Sequence, residues 1–133
     1  MKRILLTGAL GQLGSEITTE LRKRYGSDKV VATDIRDDVN RDLIESRPFC
    51  KTDCTRGEAV LKIVKDHRID TIYHLAALLS AVAEAKPLTA WGLNMDGLVT
   101  ILEIARQEGC AVFTPSSIGS FGPTTIKDWT PQD

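Results

Sequence analysis

Residues 3–14, Arg3-Ile4-Leu5-Leu6-Thr7-Gly8-Ala9-Leu10-Gly11-Gln12-Leu13-Gly14, pass from a short apolar run into three glycines, each three positions after the last. Such a stretch reads as a strand, a tight turn and the start of a helix. Residues without a Cβ let the turn take positive φ and bring main-chain N–H groups close to a ligand. At a helix start those N–H groups have no intrahelical partner, and the helix dipole adds partial positive charge, so the place suits a pyrophosphate. The spacing alone also fits a merely tight strand-to-helix turn, and the rest of the chain has to decide between the two.

After Gly14, the residues Ile17, Leu21 and Tyr25 fall on one helical face, with Ser15, Glu16, Glu20, Arg22 and Lys23 mostly elsewhere, and Gly26 stops the helix. A second β-branched run, residues 29–33, ends at Asp34, twenty residues after the third glycine. In a dinucleotide-binding unit an acid at that point accepts hydrogen bonds from the adenosine ribose and repels a 2′-phosphate, which favours NAD over NADP. Ile35 and Arg36 follow on the same rim. Arg36 is able to pair with a 2′-phosphate, so NADP stays open; the competing reading makes Asp34 the start of a polar loop.

Residues 37–48 are charged and aperiodic and read as a surface loop closed by Pro48. A third strand over 49–52 ends at Asp53, which either reaches the adenine edge or, with Thr55, caps the next helix; Cys54 lies beside it on this rim. That helix, 56–67, carries Ala59, Val60, Ile63 and Val64 on one face. The fourth strand, 69–77, turns from bulky to small residues at Leu75, Ala76 and Ala77, where a flat ligand has room to approach the backbone. In an open α/β sheet the ligand crevice lies outside the carboxyl ends of the strands, here between the first and fourth. His74 reads as a satisfied near-core side chain rather than a base. Ser80 either faces a substrate or bonds to its own backbone. Pro87 precedes a long helix over 88–107 whose stripe from Trp91 to Ala105 is wider than one sheet contact needs, so a homodimer through this helix is expected. Asn94 is polar in the middle of it and requires a specific partner. A fifth strand covers 109–114. Strands alternating with helices give a doubly wound parallel α/β sheet, Rossmann-type, in strand order 3-2-1-4-5, as one nucleotide-binding domain over 1–133.

The charge balance narrows the partners. With 17 basic and 18 acidic residues and a net charge of −1, the chain has no single-sign field, so nucleic acid is not expected. No apolar stretch approaches the ~20 residues that span a bilayer, and no signal-peptide core follows Met1-Lys2-Arg3, so neither a membrane partner nor export is expected and the reading is cytoplasmic. Cys50, Cys54 and Cys110 with His67 and His74 make neither a disulfide framework nor a metal site.

The residues also match a family. Thr7-Gly8-Ala9-Leu10-Gly11-Gln12-Leu13-Gly14 resembles the TGxxGxxG fingerprint of the extended short-chain dehydrogenases/reductases, the epimerase/dehydratase superfamily. His74-Leu75-Ala76-Ala77, Asn94-Met95-Asp96-Gly97 and Ser116-Ser117 before Phe121-Gly122 resemble its later landmarks. Thr33-Asp34-Ile35-Arg36 and Phe113-Thr114-Pro115-Ser116-Ser117-Ile118-Gly119 are most similar to the short-chain type of NAD-dependent L-threonine 3-dehydrogenase. That resemblance implies oxidation of L-threonine to 2-amino-3-oxobutanoate with NAD as hydride acceptor. It implies Ser117 as the catalytic serine that positions the hydroxyl, Ser80 on the substrate side, and Asn94 as support for a catalytic lysine through water. It places the pyrophosphate at Gly8, Gly11 and Gly14 with Gln12 and Leu13 on the rim, the ribose at Asp34, the adenine at Asp53, and the nicotinamide side at Leu75, Ala76 and Ala77. The family's Tyr-x-x-x-Lys pair is not found after Ser116-Ser117: the one such spacing in the chain, Tyr25 to Lys29, ends the first helix, and Tyr73 has Ala77 four residues on. The expectation is therefore the amino-terminal part of a longer enzyme, without the later strands and substrate lobe and without turnover of its own. A stand-alone NAD-binding or regulatory module, and part of a sugar-nucleotide epimerase or dehydratase, are the alternatives.

Overall fold

A computed structural model describes residues 2–78 and 80–116. The five strands β1 (Ile4–Thr7), β2 (Val30–Asp34), β3 (Phe49–Lys51), β4 (Thr71–His74) and β5 (Ala111–Phe113) form one parallel sheet in the order β3-β2-β1-β4-β5. β1 is central, with Ile4 to Thr7 in register with Val30 to Thr33 on one side and with Thr71 to His74 on the other. Its four residues are all buried, as a strand covered on both faces requires.

The period of two along the strands sorts the core into two layers. Leu5, Val31 and Ile72 face α3 (Gly57–Asp66) and α6 (Gly97–Glu108), packing with Val60, Val64, Ile101 and Ile104. Ile4, Leu6, Val30 and Ala32 face the other way, toward α1 (Gln12–Tyr25) and α2 (Arg41–Glu45), with Leu21 and Leu43. Each such fully buried aliphatic side chain stabilises the fold by roughly 1.5–3 kcal/mol relative to exposure. Helices on both faces make the sheet doubly wound, as the alternation of elements predicts.

Three expectations need correction. Residues 37–48 are not wholly loop: α2 forms there because the Asn40 side chain accepts a hydrogen bond from the Leu43 N–H and so caps its first turn. On α3 the buried positions are Val60 and Val64, while Ala59 is exposed. The stretch 88–107 is not one uniform α-helix. It consists of α5 (Pro87–Trp91), a π-helical turn Gly92–Asp96, and α6, and is preceded by a separate short helix, α4 (Ser80–Ala85). None of the described helices is long and apolar enough to cross a membrane.

Candidate cofactor site

β1 delivers the chain into the glycine turn between the carboxyl ends of β2 and β4. Gly8 has φ +74°, and a Cβ on it would stand 2.7 Å from the Ala76 nitrogen and 2.8 Å from the Leu75 carbonyl carbon. Only glycine lets the turn close on the segment that follows β4. A Cβ on Gly14 would collide with the Gly8 carbonyl oxygen and come within 2.9 Å of the Ala9 Cα, so α1 leaves the sheet at this angle only with glycine there. Gly11 is different. Its backbone is extended, and a Cβ would meet the Gly8 oxygen at 3.3 Å, a crowding that a few tenths of an ångström relieves. The fold demands Gly8 and Gly14 and makes only a mild demand at Gly11.

The turn is closed by the Gly11 N–H donating to the Gly8 carbonyl at 3.1 Å, and α1 is entered with the Ser15 N–H on the Gly11 carbonyl at 3.0 Å. The N–H groups of Gln12, Leu13 and Gly14 therefore precede the first intrahelical bond and form the donor set of the helix start. Leu13 is 61% exposed on this rim.

At the end of β2, Asp34 is only 6% exposed and both carboxylate oxygens are engaged. Oδ2 accepts from the Leu10 N–H at 2.9 Å; Oδ1 accepts from the Arg36 N–H at 3.1 Å and from its Nε at 3.2 Å. The Ala9 N–H adds a bond to the Thr33 carbonyl at 3.0 Å, so two successive amides of the glycine turn are tied to the last two residues of β2. Ile35, next to them, is 61% exposed. Neither Asp53 nor Thr55 caps α3, whose N-cap is Arg56 without a side-chain bond, because the Asp53 Oδ1 is turned back onto Thr55, accepting from its N–H at 2.9 Å and from its hydroxyl at 2.7 Å. Cys54 is buried, and a Cβ on Gly97 of α6 would lie 3.5 Å from its sulfur. Burial, and then the charges of Asp53 and Asp34, push this thiol up to about 11, so it stays protonated at neutral pH.

Beyond β4, the Leu75 N–H donates to the Thr7 carbonyl at 3.0 Å; Leu75 and Ala76 are half-buried and Ala77 is exposed. Asn94 holds the same segment from the other side. Its Oδ1 accepts from the Leu78 N–H at 2.8 Å and its Nδ2 donates to the Leu78 carbonyl at 3.2 Å. Asn94 sits in the π-helical turn, whose extra residue shifts the helical phase of the side chains that follow. His74 is buried with Nδ1 2.7 Å from the Thr7 hydroxyl, and burial lowers its pKa, which agrees with a near-core side chain. Ser80 opens α4; its side chain and Ser117 lie outside the described residues. The structure thus gathers Gly8, Gly11, Gln12, Leu13, Gly14, Asp34, Ile35 and Arg36 at one edge of the sheet, with Leu75 and Ala76 against the same turn. The pattern of glycines and the acid signalled the edge; nothing in the sequence signalled the Leu10–Asp34 bond.

Residues 4–132 match the NAD dependent epimerase/dehydratase family, and the chain belongs to it. Within that family, an L-threonine dehydrogenase from Clostridium difficile is similar at 52% identity with a TM-score of 0.92, over 100% of this chain and 42% of that one. A GalE-like L-threonine dehydrogenase from Cupriavidus necator, in its holo form, is similar at 41% identity with a TM-score of 0.86, over 98% of this chain and 42% of that one. An uncharacterized epimerase/dehydratase of Staphylococcus haemolyticus is 50% identical over 133 residues, which is 100% of this chain and 42% of the relative. The chain therefore spans about two-fifths of the length of these proteins. NAD is the cofactor of the family, and the residues present fit it: a turn closed by Gly8 and Gly14, open amides at a helix start, and a carboxylate at the end of β2.

Proposed function

We propose that this chain is the cofactor-binding part of an NAD-dependent L-threonine 3-dehydrogenase. The likeness to the Clostridium difficile enzyme over the whole chain carries the reading. When bound, NAD accepts a hydride from the carbon that bears the substrate hydroxyl. The chain's own part is to hold it. The amides of Gln12, Leu13 and Gly14 face the pyrophosphate, with Gly11 leaving room for its approach. Asp34 takes the ribose hydroxyls, Ile35 and Arg36 border the adenosine, and the free oxygen of Asp53 and the neighbouring Cys54 lie toward the adenine. Leu75, Ala76 and Ala77 flank the nicotinamide, with Asn94 keeping that segment in place. Ser80 and Ser117 take the substrate side, where Ser117 orients the hydroxyl. The one Tyr-x-x-x-Lys spacing, Tyr25 to Lys29, lies at the end of α1 and in the turn before β2, at the opposite end of the sheet from the glycine turn, so it does not supply the base and these 133 residues alone bind cofactor without turnover.

The deciding experiment has two arms. Calorimetry on the chain should show NAD binding that weakens more than NADP binding in Asp34→Ala, and equal losses would make Asp34 a loop residue. The complete protein should reduce NAD with L-threonine and leave UDP-sugars unchanged. The reverse outcome would assign it to the sugar-nucleotide epimerases, and binding without either reaction would make it a nucleotide-sensing module.

A further inference from the structure

We infer that Asp34 is also a positioning residue for the glycine turn, so that the pyrophosphate end of the site depends on a side chain assigned to the ribose end. The inference rests on the cofactor reading above and adds a second job for the same carboxylate. Three observations carry it. Oδ2 holds the Leu10 N–H at 2.9 Å, and Leu10 lies between Gly8 and Gly11, inside the turn itself. Both partners are buried, where a hydrogen bond to a charged acceptor is stronger and a lost one is not replaced by water. The other oxygen is fixed by two donors of Arg36, at 3.1 and 3.2 Å, which leaves the carboxylate no freedom to rotate away from Leu10.

Charge makes the arrangement informative. A carboxylate beside a pyrophosphate site repels its ligand, and Arg36 offsets that repulsion by pairing with Asp34. If the carboxylate served the ribose alone, removing it would leave binding of a ribose-free anion unchanged or stronger. If it also holds the turn, removal loosens Leu10 and binding of the same anion weakens. The two roles predict opposite signs.

The test therefore uses inorganic pyrophosphate, which has no ribose, as probe, and reads amide hydrogen exchange at Leu10 alongside calorimetry. In Asp34→Ala the Leu10 amide should exchange about fivefold faster or more, and pyrophosphate should bind about fivefold more weakly, the scale of one hydrogen bond. The amides of Leu5 and Leu6 should keep their exchange rates, which shows that the fold is intact. Arg36→Ala removes the Nε donor but keeps the backbone N–H on Oδ1, so it should speed Leu10 exchange less than Asp34→Ala does. Should the alanine variant lose its fold, Asp34→Asn keeps the volume and one acceptor oxygen and should show the same direction at smaller size. Unchanged Leu10 exchange, or pyrophosphate binding that is equal or tighter in the Asp34 variants, overturns the inference. Failure of the wild-type chain to bind either pyrophosphate or NAD instead overturns the cofactor reading, and the two failures are distinct.

Discussion

The guanidinium of Arg22 donates to the carbonyl of Pro48 at 2.7 Å and joins the first helix to the entry of the third strand. The same side chain reaches the Val30 carbonyl, the Leu43 carbonyl and the Ser46 hydroxyl, so every acceptor around it belongs to β2 or to the segment between β2 and β3. It is buried, and desolvation lowers its pKa. Arg22→Ala removes all of these bonds and the buried side chain that fills the space between them, while the Pro48 carbonyl keeps the Ala32 N–H and the Leu43 carbonyl keeps the Ser46 hydroxyl, and it should destabilise the chain by about 2–3 kcal/mol. Urea denaturation checks this; a loss within the range of an ordinary surface substitution would mean that water replaces the guanidinium.

Arg22 also shows where sequence reasoning stops. A charged residue among other charged residues of a helix reads as solvent-facing, and what buries this one is a set of acceptors 8 to 26 positions away in the chain. Periodic features were legible because they repeat: the apolar strands, the sheet order, and the glycine turn with Asp34. Helix α2 was not, because five residues hold too little of a 3.6-residue period and its cap is a single Asn40. The π-helical turn escaped for a related reason, since one extra residue breaks the period at the place where Asn94 meets Leu78. For the site, the residue types were readable and the ties between them were not. Leu10 contributes through its backbone, which no side-chain pattern records.

The glycines separate by role. Gly14→Ala puts a methyl group into the Gly8 carbonyl and should cost stability first, seen as a lower melting temperature. Gly11→Val meets only the 3.3 Å crowding within the protein, so it should keep its cooperative melt and lose NAD binding in calorimetry, because the added bulk occupies the approach to the turn. Equal NAD affinity in Gly11→Val would remove the turn from the binding site.

His74 gives the chain a pH dependence with a definite sign. Burial holds its folded-state pKa below the ordinary 6.5, so below that pH the unfolded chain binds the proton more readily than the folded one. The stability from neutral His74 is complete above 6.5 and is lost as pH falls through that value toward the folded pKa. Asn at this position keeps a polar atom for the Thr7 hydroxyl and does not titrate. Denaturation between about pH 7.5 and pH 5 should show a shallower loss in His74→Asn than in the wild type. Identical slopes would assign the dependence to carboxylates.

The stripe on the long helical segment resolves into two rows. Ile101, Ile104 and Ala105 are buried against the sheet, whereas Leu88, Trp91, Met95, Val99 and Leu102 form an exposed row, with Leu88 at 88% and Trp91 at 64%. Intervals of three or four residues place the second row along one side of α5, the π-helical turn and α6. We propose that a second copy of the chain covers it by helix pairing. A Trp91→Glu, Val99→Glu double variant leaves every core contact of Ile101 and Ile104 in place, so its melting temperature should stay near that of its wild-type monomer. Sedimentation velocity should give a dimer for the wild type and a monomer for the variant. A wild-type chain that sediments as a monomer would leave the row to another partner.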